Sequence, residues 1–147
     1  MLFRKSFFSD AEKTAIARAI TDAEAMTSGE IRVHIEPSTN GANVMERALK
    51  VFKQLDMHKT AQANGILIYI AYSDKQFAIL GDSGIDHVVP ANFWDGIKEV
   101  MAMHFAKAEF YEGIVFAIKE TGLHLKQYFP LHENDKNELP NEISEGA

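Results

Sequence analysis

Apolar residues recur along the chain at two different spacings, and the switches between them mark its elements. Ala11, Ala15, Ile16, Ala19, Ile20 and Ala23 follow at three- and four-residue steps, the spacing of one helix face. Ser9-Asp10-Ala11-Glu12 ahead of them is a capping box, in which a hydroxyl and a carboxylate exchange bonds with the first free amides of a helix. Thr27-Ser28-Gly29 breaks the period, and Glu30-Ile31-Arg32-Val33-His34-Ile35-Glu36 then alternates strictly up to Pro37. This predicts a strand with Ile31, Val33 and Ile35 inward and its charged residues on a half-exposed face. Val44, Ala48, Val51, Phe52 and Leu55 give a second amphipathic helix.

The run from Gly65 to Tyr72 is apolar without alternation and rich in β-branched residues, as expected of a strand covered on both faces. Ser73-Asp74-Lys75 is turn chemistry, so Gln76 to Leu80 should fold back as the second arm of an antiparallel hairpin. Beyond Pro90, helical spacing returns in Phe93, Ile97, Val100, Met101, His104 and Phe105, with Trp94 and Met103 read as packing beside them. It returns again after Glu109 in Ile114, Ala117, Ile118, Thr121 and Leu125. Strand, helix and strand in succession form a crossover unit with parallel strands. The class is therefore α/β, one domain over residues 1–130. From Leu131 the chain becomes polar and acidic (Glu133, Asp135, Glu138, Glu142, Glu145), and residues 131–147 are expected to form a frayed tail.

Bulk properties narrow the function. The chain has 147 residues and a formal net charge of −6, which speaks against a nucleic-acid track built on clustered Lys and Arg. No cysteine is present, so disulfides, thiolate metal sites and cysteine nucleophiles are excluded. The basic N-terminus runs into a helix start with no apolar stretch of signal-peptide length, and no run approaches the ~20 residues that span a bilayer. The expectation is a cytoplasmic monomer without a membrane segment, with a protein as its candidate partner.

The topology gathers one set of polar residues. The starts of the two parallel strands (Ser28, Gly29, Glu30; Asn64, Gly65) and the end of the returning strand (Gly81, Asp82) should share one end of the sheet. Asp82-Ser83-Gly84-Ile85-Asp86 adds a second carboxylate in a glycine-flanked loop. Glu30, Asp82 and Asp86 offer three hard oxygen ligands, with Asn64 and Ser83 as neutral ones, a set that suits Ca²⁺ or Mg²⁺ better than zinc. The same residues also fit turn and cap roles, since the pattern is no EF-hand. His87 follows Asp86 as a loop histidine, and neither Ser28 nor Ser83 sits in a G-x-S-x-G elbow.

Several ordered segments together resemble the TPM domain family, named for a thylakoid lumen protein, a photosystem II-associated protein and a worm receptor modulator. They are Ser28-Gly29-Glu30-Ile31-Arg32-Val33, Asn64-Gly65-Ile66-Leu67-Ile68-Tyr69, Ile79-Leu80-Gly81-Asp82-Ser83-Gly84-Ile85, Tyr111-Glu112-Gly113-Ile114 and Phe129-Pro130. The resemblance implies a three-layer α/β/α sandwich around a small mixed sheet. It also implies a divalent-ion site, carried over as Glu30, Asp82 and Asp86, and the acid phosphatase activity described for plant members. Many members have a signal peptide and a membrane anchor; without them the expectation is a free bacterial form. Three functions stay open: a divalent-cation-binding module, a metal-assisted phosphomonoesterase, and an interaction scaffold with structural carboxylates.

Overall fold

The computed structural model describes residues 7–131 and 138–146. In chain order the elements are α1 (Asp10–Glu24), β1 (Glu30–Glu36), α2 (Val44–Gln54), a 3-10 turn (Met57–Lys59), β2 (Gly65–Ala71), β3 (Gln76–Gly81), the one-turn α3 (Ser83–Asp86), α4 (Asp95–Ala106), α5 (Phe110–Leu125) and β4 (Ser144–Glu145). The capping box forms: Ser9 Oγ accepts from the Glu12 amide at 3.1 Å, and Glu12 accepts from the Ser9 amide at 3.0 Å.

The sheet order is β3-β2-β1-β4. β1 pairs in parallel with β2, Glu30 opposite Gly65, and β2 pairs antiparallel with β3, Ile66 opposite Gly81. Both pairings follow from the connections: a helix between β1 and β2, a tight turn between β2 and β3. β2 is buried along its whole length, as its unbroken apolar run predicts.

Two cores lie on opposite faces. On one, Ile31, Val33, Ile35, Ile66, Ile68 and Ile70 meet the apolar faces of α1, α4 and α5. On the other, Leu67, Tyr69, Ala71 and Ala78 meet Ala48, Val51 and Phe52 of α2, with Met57 and Leu139. This is the expected α/β/α sandwich. Its helical layer depends on close approach at Gly113, where an added Cβ would lie 2.7 Å from the Phe105 ring. Phe129-Pro130 closes the layer, the Phe129 carbonyl accepting from the Ser28 amide at 2.9 Å.

Two expectations differ from the structure. β1 is not half exposed: Glu30, His34 and Glu36 are buried, because α2 and residues 138–146 cover the face expected to meet water. The segment expected to fray is also placed differently where it is described. Leu139 is buried against the α2 side, Ile143 packs on the opposite core, and Ser144–Glu145 pairs in parallel with His34–Ile35. Two apolar anchors four residues apart are enough to hold it, although acidic neighbours dominate its composition. Glu133, Asp135 and Lys136 lie outside the described residues.

Truncating the first anchor should show what this segment contributes. Leu139→Ala is expected to cost about 2 kcal/mol, the low end for a buried leucine. Urea unfolding measures this directly, and a loss indistinguishable from zero would mean that the segment is not docked in solution.

Candidate functional site

The polar side chains of β1 point into the layer shared with α2, so each needs a partner that replaces water. At the carboxyl end, Glu36 has four bonds. Arg47 of α2 donates from Nε at 2.7 Å and from Nη2 at 2.8 Å, Tyr69 donates its hydroxyl, and His34 Nε2 lies at 3.2 Å. Because a carboxylate only accepts, His34 carries its proton on Nε2, leaving Nδ1 to accept from Ser144 Oγ at 3.0 Å. Burial lowers the His34 pKa and keeps the ring neutral. Burial alone would raise Glu36, but the bonds from Arg47, Tyr69 and His34 outweigh it and hold the carboxyl down at about 2. The same network pushes Tyr69 and Arg47 above their ordinary values, burial leading for the phenol and the Glu36 bonds for the guanidinium.

At the amino end two carboxyls meet. Glu24, on the last turn of α1, accepts from the Ile31 amide at 2.9 Å. Glu30 Oε1 accepts from the Glu138 amide at 2.6 Å. Burial first, then the charge of Glu30, raises Glu24 to about 8. Burial also raises Glu30, opposed by the amides of Glu138 and Leu139. Glu24 therefore holds a proton at neutral pH and shares a side-chain hydrogen bond with Glu30, while Glu30 Oε2 is buried without a partner among the described residues. Two further buried oxygens at this end, Ser28 Oγ and Asn64 Oδ1, also lack a partner. Their residues are tied together through backbone atoms: Asn64 Nδ2 donates to the Ser28 carbonyl at 2.9 Å, and the Glu30 amide donates to the Asn64 carbonyl at 3.1 Å.

The acidic loop is differently used. Asp82 reaches the same end of the sheet, its amide donating to the Gly65 carbonyl at 2.9 Å. Its carboxylate caps α3, accepting from the Ser83 amide at 2.7 Å. Gly84 is required by packing, since its amide donates to the Ala63 carbonyl at 2.9 Å and an added Cβ would lie 2.6 Å from that oxygen. Ser83 and Asp86 are exposed on α3. Glu30 and Asp82 flank Gly65 from neighbouring strands, so their backbones stand ~10 Å apart at the usual strand spacing. Among the described residues, no three acidic or histidine side chains come together closely enough to hold a metal ion.

The TPM domain model matches residues 3–122. The chain belongs to the TPM domain family. It is similar to the BA42 protein of the psychrophilic bacterium Bizionia argentinensis, whose NMR structure is 44% identical, covers 99% of this chain and 100% of that one, and superposes with a TM-score of 0.91. The N-terminal domain of a P. gingivalis protein shares the fold at 18% identity (TM-score 0.71; 88% of this chain, 84% of that one). So does the N-terminal domain of cg2496 from Corynebacterium glutamicum, at 15% identity (TM-score 0.64; 80% and 73%). No curated protein matches. Among the described residues, no helix is long and apolar enough to cross a membrane.

In this TPM domain, sequence reasoning collects the backbones of Glu30, Asn64 and Asp82 at one sheet end and overlooks the side chains that answer Glu30 and Glu36. Glu24 reads as one more polar helix residue. Its only signal is its place on the last turn before the Thr27-Ser28-Gly29 break, where α1 must pass the start of β1.

The two carboxyl sites give opposite pH dependences. An unfolded glutamate titrates near 4.5, so below that pH the unfolded chain takes up the Glu36 proton first, and stability is lost as pH falls from there towards about 2. Glu36→Gln should lower stability at neutral pH by about 3 kcal/mol, because it leaves Arg47 without its charge partner, and should flatten the acid limb of the stability curve. For Glu24 the native state keeps the proton longer, so stability falls as pH rises from 4.5 to about 8. Glu24→Gln keeps the bonds to Ile31 and Glu30 and should remove that slope. Denaturant unfolding from pH 3 to 9 measures both, and an unchanged slope in either variant would contradict its assignment.

Proposed function

We propose that this TPM domain is a divalent-cation-binding module whose ion takes the place of the proton between Glu24 and Glu30. The observation that carries this reading is the concentration of unspent oxygen at one end of the sheet: a carboxyl pair sharing one proton, and the donorless oxygens of Asn64 and Ser28. Each buried acceptor without a partner costs about 1–3 kcal/mol, and a hard cation is one group that satisfies several at once. Six to eight oxygens in flexible geometry suit Ca²⁺, whereas Mg²⁺ demands a regular octahedron. The expected trio of Glu30, Asp82 and Asp86 fits less well. Recruiting Asp82 costs its cap bond, about 1 kcal/mol, and Asp86 and Ser83 face outward. In this reading Glu30 is the principal ligand, Glu24 the second charge, Asn64 and Ser28 neutral oxygens, and Asp82 an auxiliary.

A bound ion here would displace the proton that Glu24 holds at neutral pH and would tie α1 to β1. Phosphomonoester hydrolysis would need, in addition, an activated nucleophile and a cation to hold the phosphoryl group, and no Arg or Lys stands close in sequence to Asp82. The scaffold reading leaves the carboxylates structural, and a failure to bind ions would favour it.

Calcium titration of the ¹⁵N-labelled chain tests the proposal. Saturable shifts should centre on Glu24, Ser28, Glu30 and Asn64. Affinity should rise with pH up to about 8 and then level, because the ion competes with the Glu24 proton. Glu30→Gln should weaken binding by about tenfold or more, a loss of at least ~1.4 kcal/mol, and Asp82→Ala by less. No saturation at millimolar ion, or binding insensitive to both pH and Glu30→Gln, would refute it. Turnover of p-nitrophenyl phosphate that depends on the same ion and on Glu30 would restore the hydrolase reading.

A further inference from the structure

Between the two carboxyl sites of β1 stands Arg32, whose situation neither of them explains. Its Nε is cut off from water and has no acceptor, and no carboxylate among the described residues lies within ion-pair distance. Among the described residues, Glu142 acts on it at longer range. A half-buried arginine whose Nε has no bonded anion among the described residues is uncommon, since such groups are normally paired when desolvated.

The side chain borders a cavity of about 360 Å³. One wall is the end of α2 and the turn after it, contributing Leu55, Lys59 and Thr60; the other is Leu139 and Pro140 of the docked C-terminal segment. The remaining charges on the rim are already engaged: Lys59 Nζ pairs with Asp56 at 3.2 Å, and Glu138 accepts from the Ala61 amide at 3.2 Å. Arg32 is thus the charge on this lining without a bonded partner among the described residues, and it shares the cavity wall with three apolar side chains, Leu55, Leu139 and Pro140.

We propose that this cavity binds a small organic acid through one carboxylate, with Arg32 holding the charge and Leu55, Leu139 and Pro140 covering the apolar body. A guanidinium recognises carboxylate and phosphate alike through parallel N–H donors. The rim decides between them. Arg32 and Lys59 are matched in number by Asp56 and Glu138, so the lining is neutral before any ligand enters, and a phosphate dianion meets more repulsion there than a monoanion does. The volume suits a ligand of modest size, at the lower end of the range for small-molecule sites. This site is separate from the proposed cation site: it uses Arg32 rather than the Glu24–Glu30 pair, and either can fail without the other.

The probe is 3-phenylpropionate, with 3-phenylpropionamide as its uncharged counterpart and inorganic phosphate as the competing anion, each titrated into the full-length ¹⁵N-labelled chain. The acid should shift the Arg32 Nε–Hε signal and the Leu139 amide saturably, and the amide should not. Arg32→Gln should weaken the acid by about tenfold or more. Should that variant fail to fold, Arg32→Lys keeps the charge and stem while losing the fork, and should still bind more weakly than the native chain. No saturation by the acid, equal response to acid and amide, or unchanged affinity on replacing Arg32 would overturn the proposal. Tighter binding of phosphate than of the acid would overturn the ligand class.

Discussion

The structure turns on the burial of the polar face of β1. A strand that alternates Glu30, Arg32, His34 and Glu36 with three aliphatic residues needs water or a substitute for water on its charged side. Here α2 and the C-terminal segment take that side. Moving a charge out of water is costly unless it is paired and hydrogen-bonded. The neighbouring elements are therefore positioned by what they offer: α2 brings Arg47, β2 brings Tyr69, α1 brings Glu24, and the C-terminal segment brings the Glu138 amide and Ser144.

The compensation is uneven from one end of the strand to the other. Glu36 is over-supplied, with three side chains donating to it, and behaves as a fixed anion that joins α2 to the sheet. Glu30 is under-supplied and needs a proton from Glu24. Arg32 has no bonded partner among the described residues. One strand thus runs from a saturated structural anchor, through an unpaired cation, to a carboxyl pair open to exchange. Buried polar groups that are fully satisfied rigidify a fold, whereas each partly satisfied one calls for an explanation such as strain, a water or an ion.

Much of the fold was legible because periodicity, caps and turns are local. The alternation of β1, the unbroken apolar run of β2, the Ser9 capping box and the Ser73-Asp74-Lys75 turn fixed the elements and the crossover fixed their pairing. The site was legible only in its backbone, which brings Glu30, Asn64 and Asp82 to one end. What covers β1 was not, because an alternating strand reads the same whether its polar face meets solvent or buried partners. Those partners are remote in sequence: Arg47 is 11 residues from Glu36, Tyr69 is 33, and the Glu138 amide is 108 from Glu30. Asp82 and Gly84 can be read two ways for a related reason. Aspartate caps short helices as readily as it ligates ions, and a glycine needed for close packing looks like one needed for a ligand.

The most direct test is to follow the side-chain carboxyl carbons of Glu24 and Glu36 by NMR through a pH titration of the native, ion-free chain. Glu24 should titrate near 8 and Glu36 near 2. Midpoints for both close to the ordinary 4.5 of a solvated glutamate would mean that the polar face of β1 meets water after all, and the account built on its burial would be wrong.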